Sequence, residues 1–153
     1  MIGDIKMQGN ESFHLLQQQI ESNAEQVVMT ASYPRSEVVS SGSVLKFVVD
    51  QSSVGISNLS TLKNTGKFVC EKSGIYMVSV SIMSYTSGAR FYIYLNGKVI
   101  SSTYIGAHSA GWWHTGTVVI ARQLQIDDSL WVQTSVLQIN NGLDSSFTIV
   151  KVK

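Results

Sequence analysis

Charge is scarce in this chain, and what there is nearly cancels. Of 153 residues, 14% are Asp, Glu, Lys or Arg, against about 25% in an average soluble domain. Eleven basic and ten acidic residues leave a formal charge of +1. The basic residues are scattered, so no face is positive enough to neutralise a run of phosphates, which excludes nucleic acid as a partner. Long hydrophobic runs are missing as well. The longest, such as Val118-Val119-Ile120-Ala121, have strand length and fall far short of the ~20 residues that cross a bilayer, so no membrane partner is expected. Cysteine occurs once, as Cys70, which excludes an internal disulfide and a cysteine-based zinc framework. Alternation in Lys67-Phe68-Val69-Cys70 puts Phe68 and Cys70 on one face and makes Cys70 a small buried hydrophobe. The opening Met1-Ile2-Gly3-Asp4-Ile5-Lys6 has neither the basic nor the apolar region of a signal peptide and reads as a mature sequence with an added methionine.

What is present divides into two unequal parts. From about Ser12 to Gln26 the chain is rich in Gln and Glu, and its apolar residues Phe13, Leu16 and Ile20 are spaced by three and then four, the signature of a helix. Continuing the count reaches Asn23 and Val27, about two heptads of coiled-coil seam with one polar position. A helical leader packed on its own domain is the competing use of the same stripe. After Gln26 the helical period vanishes, β-branched and aromatic residues dominate, and Gly, Ser, Asn and Asp punctuate the chain every ten residues or so. The expected organisation is a leader over 1–26 and an all-β head over 27–153. Strands are predicted over Val27 to Ser32, Val44 to Val49, Lys67 to Cys70, Ile75 to Tyr85, Arg90 to Leu95, Lys98 to Tyr104, Gly116 to Leu124, Ser129 to Leu137 and Ser146 to Val152. Asn96-Gly97 between two strands predicts a tight hairpin turn, since both residues accept positive φ. Asp127-Asp128 reads as a turn with side-chain capping rather than a catalytic carboxylate pair.

Thr65-Gly66-Lys67-Phe68-Val69-Cys70 followed by Gly74-Ile75-Tyr76, then Leu95-Asn96-Gly97, Asp128-Ser129-Leu130-Trp131-Val132-Gln133 and Ser145-Ser146-Phe147, resembles in order and spacing the globular head of complement component 1q, a relative of the tumour necrosis factor fold. The resemblance covers about Val27 to Lys153. It implies a ten-stranded jelly-roll β-sandwich of two antiparallel sheets, here preceded by a short N-terminal helix, that assembles as a homotrimer outside the cell. No Gly-x-y repeat is present, so a collagen stalk is not expected. The stalkless layout fits best the invertebrate, molluscan-type heads, which the resemblance makes secreted recognition proteins of innate immunity. Two family glycines are replaced, one by Asp127 and one near Ile149, which predicts altered packing of the closing strand. Calcium is the cofactor the resemblance raises, but the loop that carries its acidic ligands in vertebrate members reads Gly106-Ala107-His108-Ser109-Ala110-Gly111-Trp112-Trp113-His114 and contains no carboxylate, so no metal residues are assigned.

The chemistry points to binding. Ala107-His108-Ser109-Ala110-Gly111 looks like a nucleophile elbow, yet a strand follows where a helix is required, and no catalytic residues are expected. Trp112 and Trp113 are neighbours, so alternation sends at most one into the core. An exposed Trp beside Tyr104, His108 and His114 would form an amphipathic platform for a sugar ring; the competing reading buries both tryptophans in core and trimer interface. Tyr76, Phe91, Tyr92, Tyr94, Trp131 and Phe147 are expected in core or inter-subunit packing. Lys151 and Lys153 read as edge-strand lysines. The function expected is a trimeric, lectin-like protein that contacts carbohydrate or a microbial surface molecule through residues 104–114. A tumour necrosis factor-like signalling ligand and a structural trimerising module are the alternatives.

Overall fold

The computed structural model describes residues 11–20, 25–49, 53–106, 112–135, 137–139 and 142–153. Helix α1 spans residues 11–20. The strands that follow are β1 (Val28–Tyr33), β2 (Glu37–Val39), β3 (Phe68–Val69), β4 (Gly74–Ser84), β5 (Arg90–Leu95), β6 (Lys98–Tyr104), β7 (His114–Leu124), β8 (Ser129–Thr134), β9 (Leu137–Ile139) and β10 (Gly142–Lys151), with helix α2 (Leu59–Thr65) between β2 and β3. They form two antiparallel sheets. One runs β1-β10-β4-β9-β2 with β7 also paired to β4, and the other runs β3-β8-β5-β6.

Period-two alternation explains why these segments become strands. In β4 the residues Tyr76, Val78, Val80 and Ile82 are all fully buried, while Ile75 and Met77 are exposed. The core lies between the sheets, where Phe47 packs on Phe147 at a ring distance of 5.6 Å and on Tyr33 at 5.7 Å. Each such ring contributes about 1.5–3 kcal/mol by leaving water. Cys70 is a free, buried thiol, and burial pushes its pKa up.

Several expectations are corrected. The segment 44–49 buries Leu45 and Phe47 in alternation but joins the sheets only through isolated bridges, Val44 to Gln133 and Val48 to Ser32. The strand predicted from Ser129 to Leu137 is two strands, and β10 starts at Gly142. Ile149, near the replaced glycine, is fully buried and pairs regularly with Met29 and Val78. β10 lies between β1 and β4, so Lys151 is no edge lysine; it pairs with Glu25 at 3.7 Å. Val27 is buried in the head rather than lying on a helical seam, and Asn23 lies outside the described residues. The α1 stripe itself is present, with Phe13, Leu15, Leu16 and Ile20 between 59% and 67% exposed.

Both predicted turns form. Asn96 and Gly97 have φ of 52° and 84°. At the β7–β8 turn, the Asp128 N–H donates to the Gln125 carbonyl at 3.0 Å, and Asp127 has a φ of 75°. The Asp128 carboxylate accepts from the Gln125 N–H at 2.8 Å and from Asn96 Nδ2 at 2.9 Å. The Gln125 and Asn96 donors hold the Asp128 carboxyl below its usual range.

Candidate functional site

At one end of the sandwich β4 stops at Ser84, β5 begins at Arg90, β6 stops at Tyr104 and β7 begins at His114 opposite Ser84. The loops here are laced by backbone bonds. Gly88 N–H donates to the Gly106 carbonyl at 3.1 Å, Ile105 N–H to Ala89 at 2.8 Å, and Tyr85 N–H to Gln138 at 3.2 Å. Arg90 N–H donates to Ser135 Oγ at 2.8 Å, and Ser135 N–H returns a bond to the Arg90 carbonyl at 3.0 Å. Such lacing holds the side chains on this end in place before any ligand arrives, which lowers the entropy cost of binding.

Trp112 is 66% exposed and Tyr104 is 51% exposed. Trp113 is half-buried and meets Tyr85 edge-on at 5.2 Å. Neighbouring tryptophans thus divide between solvent and packing, although both precede β7, which begins at His114. His114 is exposed. His108 lies outside the described residues. The Arg90 guanidinium sits 4.9 Å over the Tyr104 ring, a cation–π contact that fixes the phenol. The structure therefore gathers Tyr104, Trp112, Trp113 and His114 on one end and adds Tyr85 and Arg90, which sequence reasoning missed. Arg90 was hard to find because a bulge between Ile93 and Tyr94 shifts the hairpin register by one. Counting back from Asn96-Gly97 puts Arg90 opposite Thr103, whereas the bulge puts it opposite Tyr104. Together the end offers exposed indole and phenol faces with imidazole, hydroxyl and guanidinium donors, a set suited to stacking on a sugar ring while bonding its hydroxyls.

Two other surfaces complete the picture. The outward face of the six-stranded sheet carries Met77 opposite Val150 and Ala121, Ser79 opposite Thr148 and Val119, and Ser81 opposite Ser146 and Thr117. None of these residues is charged, and Ile75, Met77 and Val119 are exposed. On the outer face of the four-stranded sheet, Tyr94 stacks on Trp131 at 5.7 Å with Lys67 4.4 Å over the indole. The pair thus lies outside the inter-sheet core, on an outward surface of the kind the other expected use, inter-subunit packing, requires, and Trp131 is shielded to 8% exposure by its neighbours. Among the described residues no three His, Cys, Asp or Glu side chains come together to hold a metal. No helix among them is long and apolar enough to cross a membrane.

The C1q domain family model matches residues 56–148, more than half of the chain, and the chain belongs to that family. No curated protein sequence matches it. Among solved structures it is similar to the globular domain of zebrafish complement 1qA, at 11% identity and a TM-score of 0.66, over 83% of this chain and 98% of that one. It is similar to Eiger TNF from S. frugiperda at 12% identity and a TM-score of 0.65, over 84% and 92%. Murine APRIL follows at 12% identity and a TM-score of 0.61, over 83% and 99%. At these identities the likeness concerns the fold, a jelly roll shared by C1q and TNF-like heads.

Proposed function

We propose that this member of the C1q domain family is a secreted, homotrimeric, lectin-like recognition protein of innate immunity that binds carbohydrate or a microbial surface molecule through its aromatic end. The observation that carries the reading is the exposed Trp112 next in sequence to Trp113, which packs on Tyr85, and close to His114, with the Arg90–Tyr104 pair on the same end. Binding rather than catalysis suits a site whose polar groups surround a stacking surface. The charge-free patch on the outward face of the six-stranded sheet, aliphatic side chains interspersed with small hydroxyl residues, supports the trimer, because depletion of charge marks the surface most readily buried between copies. The exposed stripe of α1 supports a leader over 1–26 that bundles in threes as a coiled coil, with short helices gaining from neighbours the stability they lack alone. Three weak sites on one rigid head then give avidity toward a repetitive surface.

The test is a glycan-array screen with calcium present and with calcium chelated, with mass-resolved sizing of the same sample. Selective sugar signals from a trimer, lost in Trp112→Ala, uphold the reading; a trimer with no glycan signal refutes it. Met77→Lys, which puts a charge in the middle of the uncharged face, should dissociate the trimer while leaving the fold intact. The second reading, a TNF-like signalling ligand, is favoured by the likeness of the fold to Eiger TNF and murine APRIL. It predicts one tight protein partner and no sugar preference.

A further inference from the structure

Away from the aromatic end, a groove of about 530 Å³ runs along β2, the edge strand of the six-stranded sheet. Tyr33, Arg35, Glu37 and Val38 line it from the β1–β2 segment, Lys46 from the segment that follows and Lys63 from α2. It shares no residue with the aromatic end. Three of the chain's eleven cationic residues meet here, although nothing in their spacing announces a cluster. Glu37 is the one carboxylate among the lining residues, and its charge is already engaged. The Tyr33 hydroxyl donates to Oε1 at 2.5 Å, and Arg35 Nε donates to Oε2 at 3.1 Å. Burial first, and then the Glu37 bond, raise the Tyr33 pKa, so the phenol stays a fixed donor at neutral pH.

The Glu37 bond engages Arg35 through Nε alone, and its side chain is 71% exposed. Lys46 and Lys63 are exposed and form no ion pair among the described residues. Val38, 68% exposed, supplies an apolar wall. A groove with an apolar wall, unpaired cations and a volume within the usual range of small-ligand sites matches a ring with one apolar face and anionic substituents. A nucleic-acid backbone needs a longer line of cations than these three residues provide. From this we infer that the β2 groove binds an anionic saccharide, with a pyranose face on Val38 and carboxylate or sulfate groups on Arg35, Lys46 and Lys63. The site is separate from the aromatic end, and its occupation does not depend on the lectin reading given above.

The experiment measures binding of three hexasaccharides to the full chain: a sulfated heparin fragment, a carboxylated hexuronate and a neutral glucan. The sulfated and carboxylated probes identify which anion the groove prefers. The expected result is binding of at least one anionic probe with a steep loss of affinity as NaCl rises from about 50 mM to about 500 mM, whereas any binding of the neutral probe belongs to the aromatic end, is insensitive to salt and is lost in Trp112→Ala. The double variant Lys46→Ala/Lys63→Ala should weaken that binding roughly tenfold, the scale of two exposed ion pairs lost together. Lys98→Ala, an exposed lysine outside the groove, should change it less than about twofold, and Trp112→Ala should leave it unchanged. Absence of binding to both anionic probes overturns the inference. So does an equal loss in Lys98→Ala, which would reduce the effect to overall charge. All the substituted lysines are exposed, so folding is not at stake, and a circular dichroism spectrum of each variant checks this.

Discussion

Asp127 occupies a backbone position made for glycine, and replacing it should stabilise the protein. The turn runs from Gln125 to Asp128, closed by the bond from the Asp128 N–H to the Gln125 carbonyl at 3.0 Å. Its third residue, Asp127, has a φ of 75°, the conformation that a type II turn requires there and that favours glycine. A non-glycine residue in this region costs roughly 1–2 kcal/mol, somewhat less for Asp. The Asp127 side chain makes no hydrogen bond among the described residues, so its removal sacrifices no contact there. Its backbone N–H donates to the Cys70 carbonyl at 2.8 Å, a bond that glycine keeps. Glycine adds freedom to the unfolded chain worth roughly 0.5–1 kcal/mol in the other direction. The balance for Asp127→Gly is a gain of up to about 1 kcal/mol, or up to about 4 °C in Tm for a domain of this size. Asp127→Val, whose branched side chain tolerates positive φ worst, should cost more than about 1 kcal/mol. Urea unfolding at one fixed protein concentration, which holds any assembly contribution constant, measures both. Equal loss of stability in the Gly and Val variants would refute the reasoning, because it would mean that the side chain, and not the backbone, sets the energy of this turn.

Trp112→Ala and Trp113→Ala should separate function from stability. The exposed Trp112 should leave the urea midpoint almost unmoved and lower sugar affinity, whereas losing the half-buried Trp113 and its contact with Tyr85 at 5.2 Å should cost about 1–3 kcal/mol of folding energy. Phe147→Ala opens a cavity under Phe47 and should cost about 3–5 kcal/mol, a large share of the about 5–15 kcal/mol that holds a typical domain folded; calorimetry should show a much lower Tm. Acid should weaken the fold through two carboxylates. Partial burial pushes Glu71 up, but the Ser57 hydroxyl and the Ser57 and Asn58 N–H groups outweigh it and lower its pKa, and Asp128 is lowered as well. A folded pKa below the unfolded value of about 4 gives stability that is complete above that value and lost as pH falls through the folded one. Glu71→Gln and Asp128→Asn should therefore be less stable than the parent at neutral pH and show a shallower decline below about pH 4 in urea titrations.

Where a local signal sufficed, the sequence was a good guide to this fold. The alternation of Tyr76, Val78, Val80 and Ile82 and the positive-φ pair Asn96-Gly97 depend on neighbours within a few residues, and both strand and hairpin are where they were expected. Glu37–Val39 is too short to show a period, and α2 is two turns of mostly polar residues anchored by one buried leucine, Leu62. The segment 44–49 alternates like a strand because alternation encodes burial, but its backbone partners are chosen by the tertiary arrangement. Trp131 is shielded by Lys67, just before β3, and by Tyr94 on β5, contacts that no local pattern records. At the candidate site, Trp112 and Trp113 divide between solvent and packing as expected, but in the loop before β7 rather than by the strand alternation that suggested it, while Arg90 is displaced toward Tyr104 by a one-residue bulge. The groove cations illustrate the same limit. Arg35, Lys46 and Lys63 read as scattered along the chain and meet only once the β1–β2 connection, the segment 44–49 and α2 come together around the groove.

Salt should weaken binding in the β2 groove and leave the aromatic end unaffected, and that difference separates them in one series of measurements. Stacking on Trp112 and hydrogen bonds to neutral hydroxyls lack the charge that mobile ions screen. The groove relies on exposed cations, whose field is cut from a Debye length of about 10 Å at 0.1 M to about 3 Å at 1 M. A natural glycan bearing both neutral and acidic sugars could span neither, one or both sites. Its affinity in high salt then measures the aromatic end alone, and the extra affinity in low salt measures the groove. In a trimer the two contributions would each be multiplied by avidity, so the comparison is cleanest on Met77→Lys, the variant designed to dissociate it. If that variant binds neutral sugar with the affinity of one site and the parent binds a dense sugar surface far more tightly, multivalency rather than a stronger individual site accounts for recognition.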